Sequence, residues 1–267
     1  MTGASRATPG TCVGLLAIGC LLVTVAVEVL AQDEGPFFGR RRRPAPSYDN
    51  ERVVYDGRFA FVRLRYGGSD GGFWREPPWA HDYPRAERHF MRILEELTFL
   101  RPHREASNIL TLDDPELSNY PIAYMSEPGF WSMNEDETTA LRNYLHKGGF
   151  LIFDDFRGAH WQNFEARMRE VLPEGRLVEL DATHPIFHSF FEIDSLDFVQ
   201  FYERNDRPLF YGMYEDNDPQ KRLLLVANYN NDIGEYWEFS DTGYVPIDLS
   251  NEAYKLGVNY VMYAMTH

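Results

Sequence analysis

An α/β fold built on a largely parallel sheet is predicted by two adjoining features of the chain. Residues Asn134 to Lys147 place acids in the first turn of a helix-like segment and His146 and Lys147 in its last, which complements a helix dipole, and Gly148 can adopt the positive φ that ends such a helix. Phe150-Leu151-Ile152-Phe153 then runs as four consecutive apolar residues. An amphipathic edge strand would alternate, so this run suits a central strand covered on both faces. It ends in Asp154-Asp155. In open sheets of this kind ligands sit beyond the carboxyl ends of the strands, so the acid pair is also the first candidate site.

At the amino terminus, Val13 to Val27 form an apolar run behind a short segment carrying Arg6, and Val29-Leu30-Ala31 before Gln32 offers small residues for signal-peptidase cleavage. Residues 1–31 are read as a secretory signal, giving an exported protein of the periplasm or cell envelope. An uncleaved anchor over residues 13–30 is the rival. The run is near the lower limit of roughly 17 residues for a crossing helix, and Arg40 to Arg43 would then favour a cytoplasmic carboxyl side. Ala17-Ile18-Gly19-Cys20 weakly resembles a lipoprotein box, but Cys20 lies in mid-run and the usual leucine is missing.

Residues 32–54 hold Gly35-Pro36, the four arginines and Pro44-Ala45-Pro46 with little apolar periodicity, and are read as a disordered, basic, proline-rich linker. Residues 55–267 are left for one α/β domain, and the 44% apolar content of the 267 residues supports a single good core. The net charge of −15 survives removal of residues 1–31, which takes away one base, Arg6, and one acid, Glu28. Nucleic acid is excluded as a partner, because phosphate binding needs a basic footprint. Both cysteines, Cys12 and Cys20, lie within the signal. The mature chain therefore has no disulfide, thiolate metal site or cysteine nucleophile.

Along the domain, Phe59 to Leu64 predicts a first strand and Pro84 to Leu100 a helix, with Phe90, Ile93, Leu94, Leu97 and Leu100 at helical spacing. Between them runs a long loop, Tyr66 to Tyr83, rich in Gly, Trp and Pro. Short strands are expected at Ile109 to Leu112 and Pro121 to Met125. Beyond the acid pair, Trp161 to Leu172 reads as a helix, Arg176 to Leu180 as a strand and Pro185 to Phe190 as a short helical turn. Leu209 to Tyr214 and Arg222 to Asn228 form a hairpin through Asn217-Asp218-Pro219, and Asn251 to Met265 a packed terminal helix.

Several motifs carry chemistry. Gly67-Gly68-Ser69-Asp70-Gly71-Gly72 follows a strand, yet it matches no phosphate-binding fingerprint and Asp70 would repel an anion. A turn that lets a ligand approach closely fits better. Asp154 and Asp155 could serve as general acid and base, although neighbouring strand residues point apart, and Asp154 could instead receive amides at a helix start. Arg157 is placed to neutralise either acid. His184 and His188 share the spacing of a metal pair but lack a third ligand, and Asn228 to Gly234 imitates a calcium loop whose glycine comes one place late and whose twelfth position is Phe239. No metal or cofactor is expected. Of the five tryptophans, Trp74, Trp79, Trp131 and Trp161 follow strand ends, where they either stack on a hydroxylated ring or pack the loops over the sheet.

Taken together, Arg63-Leu64-Arg65-Tyr66-Gly67-Gly68, Gly148 to Asp155, His184-Pro185-Ile186-Phe187 and Leu256-Gly257-Val258-Asn259-Tyr260 resemble a bacterial family catalogued as domain of unknown function 4159. The resemblance covers about Phe59 to His267. The family is similar to the class I glutamine amidotransferase-like superfamily, with elements like those of trehalose-utilisation-type members, which implies a flavodoxin-like three-layer sandwich. Its members occur beside MoxR-type ATPases and Bat-like membrane proteins, which implies a cell-envelope setting. The superfamily's cysteine elbow falls where this chain has Asp154-Asp155, so glutamine hydrolysis by a thiolate is excluded.

The sequence reading is thus an exported domain that binds a ligand or protein partner through Tyr66, Asp70, Trp74, Asp154, Asp155, Arg157 and Trp161, together with His160. Envelope carbohydrate or a membrane protein is the partner class, with membrane association through the amino-terminal segment. Two alternatives stay open: a carbohydrate hydrolase or lyase using Asp154 or Asp155 with His160, and a structural accessory of a MoxR/Bat-like membrane complex.

Overall fold

The computed structural model describes residues 48, 52–67, 76–197 and 207–267. The expectations for residues 1–31, for most of the linker, and for Asp70 and Trp74 lie outside the described residues. No helix among the described residues is long and apolar enough to cross a membrane.

Seven strands form one sheet in the order β2-β1-β3-β4-β7-β6-β5. They are β1 (Val62–Arg65), β2 (Asn108–Thr111), β3 (Ile122–Ser126), β4 (Phe150–Phe156), β5 (Val178–Glu179), β6 (Leu209–Tyr214) and β7 (Leu223–Tyr229). The pairings from β2 to β7 are parallel, and β6 runs antiparallel to both its neighbours. The all-apolar run does become the central strand: β4 lies between β3 and β7, and its seven residues are all buried.

Helices α1 (Arg85–Leu97), α2 (Glu135–His146), α3 (His160–Val171), α4 (Ile233–Glu238) and α5 (Ile247–Thr266) cover the two faces. Strand alternation divides the core accordingly. Ile122, Tyr124, Phe150, Ile152 and Val226 pack with α1, α4 and α5, while Ala123, Met125, Leu151, Phe153 and Ala227 pack with α2 and α3. In α1 the buried stripe is Ala86, Phe90, Met91 and Leu94, whose three large side chains contribute about 1.5–3 kcal/mol each through burial. Leu97, expected on that stripe, is exposed where the helix ends. At the start of α2, Asn134 and Glu137 form a reciprocal capping box, and Gly148 takes φ +114° to leave the helix.

The structure departs from the sequence reading in two places that bear on the site. Residues 233–238, read only as the tail of a false calcium loop, form α4, with Asp232 as its N-cap. The second departure is in β4. Its register against β7 slips between Phe153 and Phe156, so that Asp154 and Asp155 together oppose one residue of β7. This is a β-bulge, and Asp155 takes φ +56° within it.

Candidate functional site

The carboxyl ends of β1, β3, β4 and β7 lie side by side, and the chain leaving each delivers an ionisable group to one crevice. His81 and Asp82 come from the segment between β1 and α1, Glu127 from the end of β3, Asp155 from β4, and Asp232 and Glu235 from the start of α4. Asp82, Glu127 and Asp155 all adopt left-handed backbone, with φ of 65°, 48° and 56°. Such conformations are uncommon outside glycine, and their concentration at one sheet end marks a place where the chain is bent to aim side chains.

The two adjacent acids have separate partners. Asp154 accepts hydrogen bonds from the Tyr124 hydroxyl at 2.8 Å, Asn228 Nδ2 at 3.0 Å and the amides of Ile233 and Gly234 at 3.2 and 2.9 Å. It therefore ties β3, β7 and α4 to β4, and Tyr260 of α5 extends the network by donating to Asn228 Oδ1. Burial pushes Asp154 up to about 6, with the donors from Asn228, Gly234 and Tyr124 opposing the rise. Asp155 instead meets His81, whose Nδ1 lies 2.7 Å from its Oδ2, and Arg157, whose Nη2 lies 3.5 Å from its Oδ1. Burial would raise Asp155, but the hydrogen bond and charge of His81, with Arg157 behind, hold it below the usual carboxylate range.

His81 is 35% exposed in its side chain, whereas Asp155 is 3% exposed. Burial disfavours charge on the imidazole, yet Asp82, Asp155 and Asp232 outweigh it and push it up to about 12. The segment carrying His81 is fixed from below. Arg63, fully buried in β1, donates to the carbonyls of Trp79 and His81 at 3.0 and 2.9 Å, pairs with the buried Glu87 of α1 and lies 5.0 Å from the Tyr124 ring centre. Glu127 sits 3.9 Å from His81, and burial followed by the charge of Asp155 pushes it up to about 8. Burial likewise raises Glu235 to about 7, with His81 opposing.

The remaining residues singled out from sequence are distributed more widely. Tyr66 is buried and donates its hydroxyl toward the carbonyls of Ser126 and Glu127, so it anchors the Glu127 turn. His160 packs edge-on against Phe130 and directly over Gly129, where a Cβ would come within 2.4 Å of it. Its Nδ1 is buried without a hydrogen bond, and burial lowers its pKa. The histidine on Asp155 is His81. Trp161 joins Phe156, Tyr211 and Tyr229 in an aromatic cluster, and Trp79, Trp131 and Trp237 are core residues. Trp79 and Trp131 pack loop segments onto the core, whereas Trp237 belongs to α4 and stacks on Phe90 of α1.

His81, Asp82, Asp232 and Glu235 were not singled out from sequence. For the last two a signal was present, since Asp232-Ile233-Gly234-Glu235 has the spacing of a helix start, and Glu235 N donates to Asp232 Oδ1 at 2.9 Å. His81 and Asp82 close a long loop and carried no such signal.

Fold and crevice together define the class: an α/β protein with an acidic, histidine-bearing crevice beyond the carboxyl ends of a mostly parallel sheet. A family model described as domain of unknown function (DUF4159) matches residues 60–265, and the chain belongs to that family. No curated protein matches it.

Proposed function

We propose that this chain is an exported cell-envelope protein that binds a small, hydroxyl-rich ligand at the crevice, without thiol chemistry. The observation that carries the reading is the contact of partly exposed His81 with buried Asp155, flanked by Glu127 and Arg157. A sugar hydroxyl both donates and accepts. Glu127 offers acceptors, while Arg157 and His81 offer donors within the same mouth. Export rests on the signal-like residues 1–31. The amidotransferase-like, flavodoxin-type reading is supported by the strand order β2-β1-β3-β4-β7 and by the left-handed Asp155 at the end of β4, where that superfamily turns sharply at its nucleophile.

The test is a thermal-shift screen of the purified chain against envelope saccharides, with nucleotides as a contrasting panel. A ligand present at 100 times its dissociation constant should add about 2.7 kcal/mol of stability. A saccharide is expected to raise the melting temperature of the wild type and to lose that effect in His81→Ala and Arg157→Ala. Absence of a shift across the saccharide panel sinks the proposal.

The same 2.7 Å contact favours one second reading, a carbohydrate hydrolase or lyase in which Asp155 orients His81 as the proton-transfer group. Release of reducing ends from a saccharide that binds, abolished in His81→Ala, would select this reading over plain binding.

A further inference from the structure

We infer that the floor of the crevice is a divalent-cation site formed by His81, Asp82, Asp155, Asp232 and Glu235. This goes beyond the saccharide reading, which uses the mouth formed by Glu127, Arg157 and the exposed side of His81.

Two sets of side chains converge there, His81 with Asp155 and Asp232, and His81 with Asp82 and Glu235, and within each set the ligating atoms lie within 4.8 Å of one another. Ligands about 2.1 Å from an octahedral ion stand about 3.0 to 4.2 Å apart, so small side-chain movements complete a coordination shell. Convergence of acids alone would not make the case. The independent observation is Asp82. Its side chain is 0% exposed, no N–H donor reaches either carboxylate oxygen within hydrogen-bond distance, and what it meets is His81 Nδ1 at 3.7 Å and the carboxyl group of Glu238. The charged groups acting on it include the acids Asp155, Asp232, Glu235 and Glu238 and the cations His81 and Arg63, so acids outnumber cations around it.

A buried carboxylate that no N–H donor reaches, set among other acids, is tolerated when it neutralises a metal. Asp82 is also held where it is by design of the surrounding chain. A Cβ on Gly234 would come within 2.5 Å of Asp82 Oδ2 and 2.8 Å of the Tyr124 hydroxyl, so glycine leaves room for the carboxyl group. Arg63 steadies the backbone of His81, one residue earlier, through its carbonyl.

The donor set names the ion class. One imidazole nitrogen among several carboxylate oxygens suits a first-row cation such as Mn2+ or Zn2+ better than Ca2+ or Mg2+, which take oxygen ligands. Asp154 stands outside the site because its four donors already occupy it.

The experiment is titration calorimetry of Mn2+ into the purified full chain after chelator treatment and dialysis, repeated with Zn2+, Mg2+ and Ca2+. Circular dichroism verifies that each protein is folded. One Mn2+ or Zn2+ per chain is expected, bound more tightly than Mg2+ or Ca2+. Removing a group that merely steadies a metal's ligands costs about 10- to 100-fold in affinity, so Asp82→Asn and Glu235→Gln should each weaken binding by at least about tenfold. Asp82→Asn keeps the side-chain shape and removes a buried charge, and Glu235→Gln alters a partly exposed helix residue, so a folded variant is available at either position. The inference is overturned if the folded wild type binds neither Mn2+ nor Zn2+. It is equally overturned if binding is unchanged in both variants, which would locate the ion elsewhere.

Discussion

Asp154 and Asp155 are covalent neighbours with different roles, and the bulge in β4 is what brings both to the α4 end of the sheet. In a regular strand they would project to opposite faces. With both residues set against one position of β7, Asp154 lies under α4 and Asp155 opens toward the crevice. Asp154→Ala would leave a tyrosine hydroxyl, a side-chain amide and two backbone amides without their acceptor. At about 1–3 kcal/mol for each unsatisfied buried group, a loss of more than about 3 kcal/mol is expected in urea unfolding. His81→Ala removes the cation that faces buried Asp155, so it too should lower the urea midpoint, and its loss of ligand is read on the fraction that remains folded. The His184 and His188 pair separates in the same manner. His184 Nδ1 accepts the amide of Ile186, and burial lowers its pKa, whereas His188 is raised by the Ala182 carbonyl and by Glu192. Protonation of His184 favours the unfolded chain, so its contribution to stability is lost as pH falls through 6.5 toward the lowered value. For His188 the stabilisation is present below 6.5 and is lost as pH rises through the raised value. NMR titration should therefore place the two imidazoles on opposite sides of 6.5, and a shared midpoint would contradict the contacts described.

Among the elements, the short α4 organises the site more than its six residues suggest. Its first turn supplies two amides to Asp154, Asp232 caps it, and Gly234 lets Asp82 and Tyr124 approach. Gly234→Ala is expected to destabilise by about 1–3 kcal/mol, despite alanine's better helix propensity, because the added methyl collides with buried groups. A lower urea midpoint checks it, and an increase would mean that the crevice yields easily. The sequence made some elements plain and hid this one. The Phe150 to Phe153 run, the Gly148 stop and the acids that follow Asn134 are local signals, and the strand and helix around them lie where those signals put them. The α4 helix has only the Asp232 to Glu235 spacing to announce it, inside an asparagine-rich stretch that reads as loop. The partner of Asp155 was hidden for a different reason. His81 and Asp155 are 74 positions apart, and only the parallel order of β1, β3 and β4 brings their segments together.

At the scale of the molecule, the sheet is a shared floor for two cores. Each inner strand contributes alternate residues to both: in β4 alone, Phe150 and Ile152 face the α1, α4 and α5 layer, and Leu151 and Phe153 face α2 and α3. Neither helical layer can detach without exposing the apolar face of strands that the other still needs, so the layers are expected to unfold together. The crevice depends on this, since Arg63 and Glu87 join β1 to α1 beneath His81 while Asp154 joins β4 to α4. Phe164 tests the coupling from the far side. It is fully buried in α3 against Phe153, Phe156 and Trp161, with no place in the crevice or in the layer containing Trp237. Phe164→Ala should cost about 3–5 kcal/mol. In urea, the far-UV circular dichroism and tryptophan fluorescence transitions should coincide in the wild type and move down together in the variant. If fluorescence and helicity separate in Phe164→Ala, the two layers are independent units, and the crevice can persist while the α2 and α3 face is open.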